Sequence, residues 1–166
     1  CHHSGQSKVQ KARRVPTIAE ITHRIPADTI RSFMTEAFRS CGLPDEAART
    51  VAAAMLDADL SGSDAHGIFR LPGYVRSLRR GHINPTAHVR VVERAPATAL
   101  VDGDNGMGHL VMTFAANLAV EIAREAGVAW IGVRGSNHSG AGSTYVSIPL
   151  AHGMVVAGEQ QPASGE

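Results

Sequence analysis

Between Thr98 and Val133 the sequence spells out strand, helix, strand, and this succession limits the fold more than any other feature. Thr98–Asp102 reads as a strand. From about Gly108 to Ala126, Val111, Phe114, Ala115, Leu118 and Ile122 recur at helical spacing, and Gly127 is placed to end the helix. Val128–Val133 is short and almost continuously apolar, the pattern of a strand buried on both faces. A further strand is expected over His88–Arg94, with Ala95-Pro96 separating it from the next. The order of elements predicts a mixed α/β domain.

Helices precede this unit. Ile30, Phe33, Met34, Ala37, Phe38 and Cys41 follow the i, i+3, i+4, i+7 spacing of one apolar face, with Asp28 able to cap the start and Gly42 the stop. A second helix fits Pro44 to about Leu60, with Pro44 in its first turn and Ala48, Val51, Ala52, Met55 and Leu56 inward. Ser61–Gly67 breaks the pattern. Arg70 to Arg80 reads as a short basic helix that Pro72 starts or bends. Asp102-Gly103-Asp104-Asn105-Gly106 is expected to be a loop. Arg134 to Gly142 is a polar, glycine-rich loop. A helix or turn interrupted by Pro149 follows, then an apolar run from Met154 to Ala157.

With 43% hydrophobic and 19% charged residues in 166, the chain has the makings of a packed core. No run approaches the ~18 apolar residues of a membrane span. Cys1 and Cys41 are too few for a disulfide framework, which points to a soluble protein of the reducing cytoplasm. Lys8, Lys11, Arg13, Arg14 and Arg24 stand against Glu20 alone in residues 1–25, although the whole chain is close to neutral at +1. That head is expected to be a disordered basic leader. It lacks the interleaved aromatics and the module that nucleic-acid binding requires, so no nucleic-acid partner is expected. Residues 26–157 form the expected domain, and 158–166 an unstructured tail. The start at Cys1 and the aperiodic end are the expected edges of a fragment.

Nine histidines invite a metal reading, but there is no HExxH, no CxxC and no i, i+4 pair on a helix, so no metal is expected. His2, His3, His23, His82, His88 and His152 are expected on surfaces or turns. Gly106-Met107-Gly108 opens a helix after a strand, yet Val111 stands where the third glycine of a dinucleotide fingerprint belongs. That helix start could face an anion, or the glycines could serve the backbone alone. His66 lies in a break between helices, with Arg70 four residues on. His138 lies in a polar loop after a buried strand, where α/β domains place function. An imidazole exchanges protons near neutral pH, and a guanidinium grips a carboxylate with two parallel bonds. One of each is the minimum for oxidising a 2-hydroxy acid or reducing a 2-keto acid. A loop histidine is also often just a hydrogen-bonded turn residue.

Ala58-Asp59-Leu60-Ser61-Gly62-Ser63-Asp64-Ala65-His66-Gly67-Ile68-Phe69-Arg70-Leu71-Pro72-Gly73-Tyr74-Val75 resembles the signature of the malate/L-lactate dehydrogenase family of the non-Rossmann type. Gly81-His82-Ile83-Asn84-Pro85, Val101 to Gly108 and Val133 to Ala141 match it further, in the same order. The resemblance implies an NAD- or NADP-dependent oxidoreductase of small 2-hydroxy or 2-keto acids, usually a homodimer, with a cofactor fold of its own. It implies His66 as general acid/base and Arg70 as the contact to the substrate carboxylate, with Tyr74 one turn further. It implies His138 as a residue against cofactor and substrate and an alternative base, and Ser139, Gly140, Ala141 and Gly142 as cofactor contacts. Ala65 and Ser139 depart from the family's hydroxyl and phenylalanine at those positions, and Pro149 falls where the family continues a helix. Family chains are about twice as long, which implies an N-terminal half whose alternative role is that of an inactive association module.

Overall fold

The computed structural model describes residues 24–159; most of the basic leader and of the polar tail lies outside them. Helix α1, Ala27–Arg39, turns Met34 and Phe38 into the interior. It starts two residues earlier than a cap at Asp28 would set it: the Pro26 carbonyl accepts the Thr29 and Ile30 amides, and Asp28 instead pairs with Arg31. Phe33, expected inward, is 60% exposed, because it lies beside the face formed by Ile30, Met34, Ala37 and Phe38 that meets the neighbouring helices. Helix α2, Asp45–Leu60, buries the expected Ala48, Val51, Ala52, Met55 and Leu56, with Pro44 just outside its first turn. Two 3₁₀ turns, Asp64–His66 and Ile68–Arg70, then lead into α3, Leu71–Arg79, with Pro72 in its opening turn. These elements, with Leu43, Ile83 and Met107, enclose one apolar core.

Strand β1, Arg90–Ala95, pairs antiparallel with β2, Thr98–Gly106. Strand β1 starts two residues later than expected, because the Asp104 carboxylate takes the His88 amide before the ladder begins. Strand β2 runs through the segment expected to be a loop. Asp104 and Asn105 do take the left-handed backbone of turn residues (φ 50° and 55°), but pairing resumes at Gly106 opposite Ser136. Helix α4, Gly108–Ala126, ends at Gly127 (φ 80°) and carries the chain to β3, Trp130–Ser136, which lies parallel to β2. The sheet order is β1-β2-β3.

Ala99 and Val101 of β2 pack against Val111, Leu118 and Ile122 of α4, and Ile131 and Val133 join this second core. Phe114, expected in the same stripe, is half out of it at 38% exposure. Strand β3 is not buried on both faces. Leu100, Trp130 and Gly132 line an open groove on the side away from α4, and Trp130 is 74% exposed. Helix α4 also touches α2 and the last helix, α5, Gly142–Leu150. Pro149 does not interrupt α5. It sits in the final turn, where its missing amide costs one hydrogen bond at most. The apolar run from Met154 forms no strand, and Val155 is fully exposed.

Candidate functional site

The break between α2 and α3 is shaped by a carboxylate. Asp59 accepts the Ile68 amide at 2.9 Å, and a Cβ on Gly67 would overlap its oxygens. Glycine is thus the residue that lets the chain pass Asp59 and place His66 and Arg70 on either side of that crossing. Arg70 folds back so that its Nε–H donates to the Ala65 carbonyl at 2.9 Å. No carboxylate pairs with its guanidinium among the described residues.

Tyr74, one turn into α3, is 6% exposed, and its hydroxyl lies 2.7 Å from His138 Nδ1. His138 stands two residues beyond the end of β3, so this bond joins the helical core to the sheet. The Gly140 amide donates to the same Nδ1 at 3.3 Å. A backbone amide can only donate, so the network assigns Nδ1 as an acceptor and the hydrogen of the neutral ring to Nε2. Burial pushes the Tyr74 phenol up to about 12 against the opposing pull of Arg70, so it stays protonated and donates. Burial, with Arg70 and His66 adding to it, holds His138 below the usual imidazole range and keeps it neutral at pH 7. The rings of His66 and His138 lie parallel, their centres 5.8 Å apart.

Two neighbours escaped the reading of the sequence. His109, in the first turn of α4, is 1% exposed and sets its ring at 83° to that of Tyr74, centres 5.3 Å apart. Neither of its ring nitrogens has a hydrogen-bond partner among the described residues. Burial, then His138 and His66, push it down to about 3. Tyr145 of α5 donates its hydroxyl to the Ser139 carbonyl and pins the loop from below. Its burial, with Tyr74 nearby, pushes the phenol up. The available signal for His109 was its distance of eleven residues from the buried Val120, three turns along a second face of α4.

His66, Arg70, Tyr74 and His138 therefore meet at one place, and Ser139, Gly140, Ala141 and Gly142 continue from His138 into α5. A Cβ on Gly108 would overlap the carbonyl oxygens of Asn137 and His138, so glycine is what lets that loop pack against the start of α4. Asn137 adds three bonds of its own, to the Asn105 carbonyl and side chain and to the Gly106 carbonyl. The glycines at 106 and 108 serve close packing. Among the described residues no cluster of His, Cys, Asp or Glu is placed to hold a metal ion, and no helix is long and apolar enough to cross a membrane.

A family model described as malate/L-lactate dehydrogenase matches residues 25–159. Malate dehydrogenase of Pyrococcus abyssi is 38% identical over 132 residues, which are 80% of this chain and 36% of that protein. L-sulfolactate dehydrogenase of Methanocaldococcus jannaschii is 35% identical over 125 residues, 75% of this chain and 36% of the relative. Among solved structures, malate dehydrogenase from Pyrococcus horikoshii superposes with a TM-score of 0.77 at 35% identity, covering 80% of this chain and 38% of that one. The matched region thus spans just over a third of the length of these relatives.

Proposed function

Since this chain belongs to the malate/L-lactate dehydrogenase family, we propose that its site serves the NAD- or NADP-dependent interconversion of a small 2-hydroxy acid and its 2-keto acid. The observation that carries this reading is the convergence of Arg70, whose guanidinium has no carboxylate partner among the described residues, with two imidazoles, one of them held in a fixed tautomer by Tyr74 and Gly140. Arg70 takes the substrate carboxylate with its free fork. His138 presents Nε2–H to the substrate oxygen, orienting it and polarising the carbonyl in the reductive direction. Its Nδ1 is already engaged by two donors, so it is poorly placed to accept a second proton. His66 carries no such constraint, and it takes the hydroxyl proton as the C–O bond becomes a carbonyl and returns it in reverse.

A bound nicotinamide would take up or give back the hydride of the substrate carbon. The loop beyond His138 fits that end of the cofactor. It brings backbone free of bulk beside the imidazole, and a Cβ on Gly142 would meet nothing within 4 Å.

The test is reduction of NAD+ or NADP+ by the chain supplied with L-malate, L-lactate or a related acid, followed by absorbance. The expected result is turnover that falls by about 10²–10⁴ in His66→Ala and a raised KM in Arg70→Ala. Turnover unaffected by His66→Ala would overturn it. A second reading, in which this length of chain only associates with a second copy in the cytoplasm, is favoured by the uncovered sheet face around Trp130. It predicts no turnover and a dimer in size-exclusion chromatography.

A further inference from the structure

His109 is costly where it stands. A fully buried imidazole with both nitrogens unpartnered loses its hydration and gains no bond in return. Its ring is used by shape. It meets Tyr74 edge to face at 5.3 Å, and it stands so near Gly140 that a Cβ there would come within 2.8 Å of its Nε2. Gly140 has φ 76°, a left-handed turn that swings its amide back toward the ring of His138. The two groups that hold His138 Nδ1 are the Tyr74 hydroxyl and the Gly140 amide, and His109 packs close to both of the residues that supply them.

We infer that His109 is a positioning residue, a spacer that sets the separation of Tyr74 from the Gly140 turn and so fixes the tautomer and orientation of His138. The inference deepens the role proposed for His138 above and rests on it for its meaning in catalysis, but its geometry stands without any ligand. Thinning the spacer lets Tyr74 sink toward Gly140. The two donors then no longer converge on Nδ1, and His138 is released to sample both tautomers.

The experiment is nitrogen-15 NMR of histidine-labelled full chain, which reads the tautomer and titration of each imidazole without substrate or cofactor. Wild type is expected to show His138 as the Nε2–H form with a depressed titration. In His109→Ala the His138 nitrogen shifts are expected to move toward those of mixed tautomers, with its titration moving up toward that of a free imidazole. His109→Leu, close in volume and without nitrogens, is expected to keep the wild-type signature. Circular dichroism confirms that each variant is folded. An unchanged His138 in folded His109→Ala would overturn the inference, as would a His109→Leu spectrum matching that of His109→Ala. If His109→Ala does not fold, the milder truncation His109→Val serves instead. Loss of the His138 signature supports the spacer, and its retention overturns it. Failure of the hydroxy-acid reading would show only in turnover assays and would leave these spectra unchanged.

Discussion

The helical core and the sheet core solve the same problem to different degrees. Around Phe38, the helices α1, α2 and α3 cover one another, and Met34, Phe38, Val51 and Met55 are wholly inaccessible. Around Val101, α4 covers one side of the sheet and leaves Leu100 and Trp130 at the surface on the other. Both cores are built from similar apolar residues, so the difference lies in the number of layers, not in hydrophobicity. A sheet needs a partner on each face or a polar outer face, and the outer side of β2 and β3 is polar only toward Asp102 and Arg134, with Leu100 and Trp130 left uncovered at its other end.

Phe38→Ala should produce the largest effect, a loss of about 3–5 kcal/mol in urea unfolding, because a closed core cannot collapse around the missing ring. A much smaller loss would mean that the helical core is as loosely covered as the sheet. An acid-side effect comes next and tests the junction between the cores. His109 in the folded chain titrates at about 3, against an ordinary value of 6.5. Between those values the unfolded chain binds a proton that the folded one refuses, so stability should fall as pH drops from about 6.5 toward 3 and stay level above that window. The neighbours His138, His66 and Tyr74 face the same ring, and His109→Leu should flatten the pH dependence measured by thermal unfolding.

Tyr145→Phe should cost about 1–2 kcal/mol, since it removes the bond that Tyr145 donates to the Ser139 carbonyl while keeping the ring in place. Urea midpoints read it directly. Trp130→Ala should be the smallest, within about 0.5 kcal/mol for an exposed side chain. A cost near that of Phe38→Ala would erase the contrast between the cores. A drop in self-association by size-exclusion chromatography would sharpen it.

The helices were legible because their apolar spacing is a property of the local chain. Met34, Phe38, Val51 and Met55 are buried where periodicity places them. The sheet was less legible because its limits depend on partners. Asp104 and Asn105 carry turn chemistry and do adopt positive φ, but only the parallel neighbour β3 could reveal that pairing resumes at Gly106. Similarly, the apolar run of β3 shows that the strand can be buried, without showing how many layers surround it. His66, Arg70, Tyr74 and His138 stood out through their motifs, and the structure brings them together. His109 did not, because a single histidine inside a helix looks like any other until the fold sets it against Tyr74 and Gly140.

The Tyr74–His138 bond joins residues 64 positions apart, which places the site late in the folding sequence. Contacts within α1 and α2 can form as soon as those helices exist. The site must wait for a long loop to close and for both cores to dock, an entropic cost that local contacts never meet. The same feature makes it the first part to open when the cores separate. The Gly140 amide should therefore exchange its hydrogen with solvent sooner than the amides of β2 beside Val101, and the proton chemistry of the pocket should vanish before the secondary structure does.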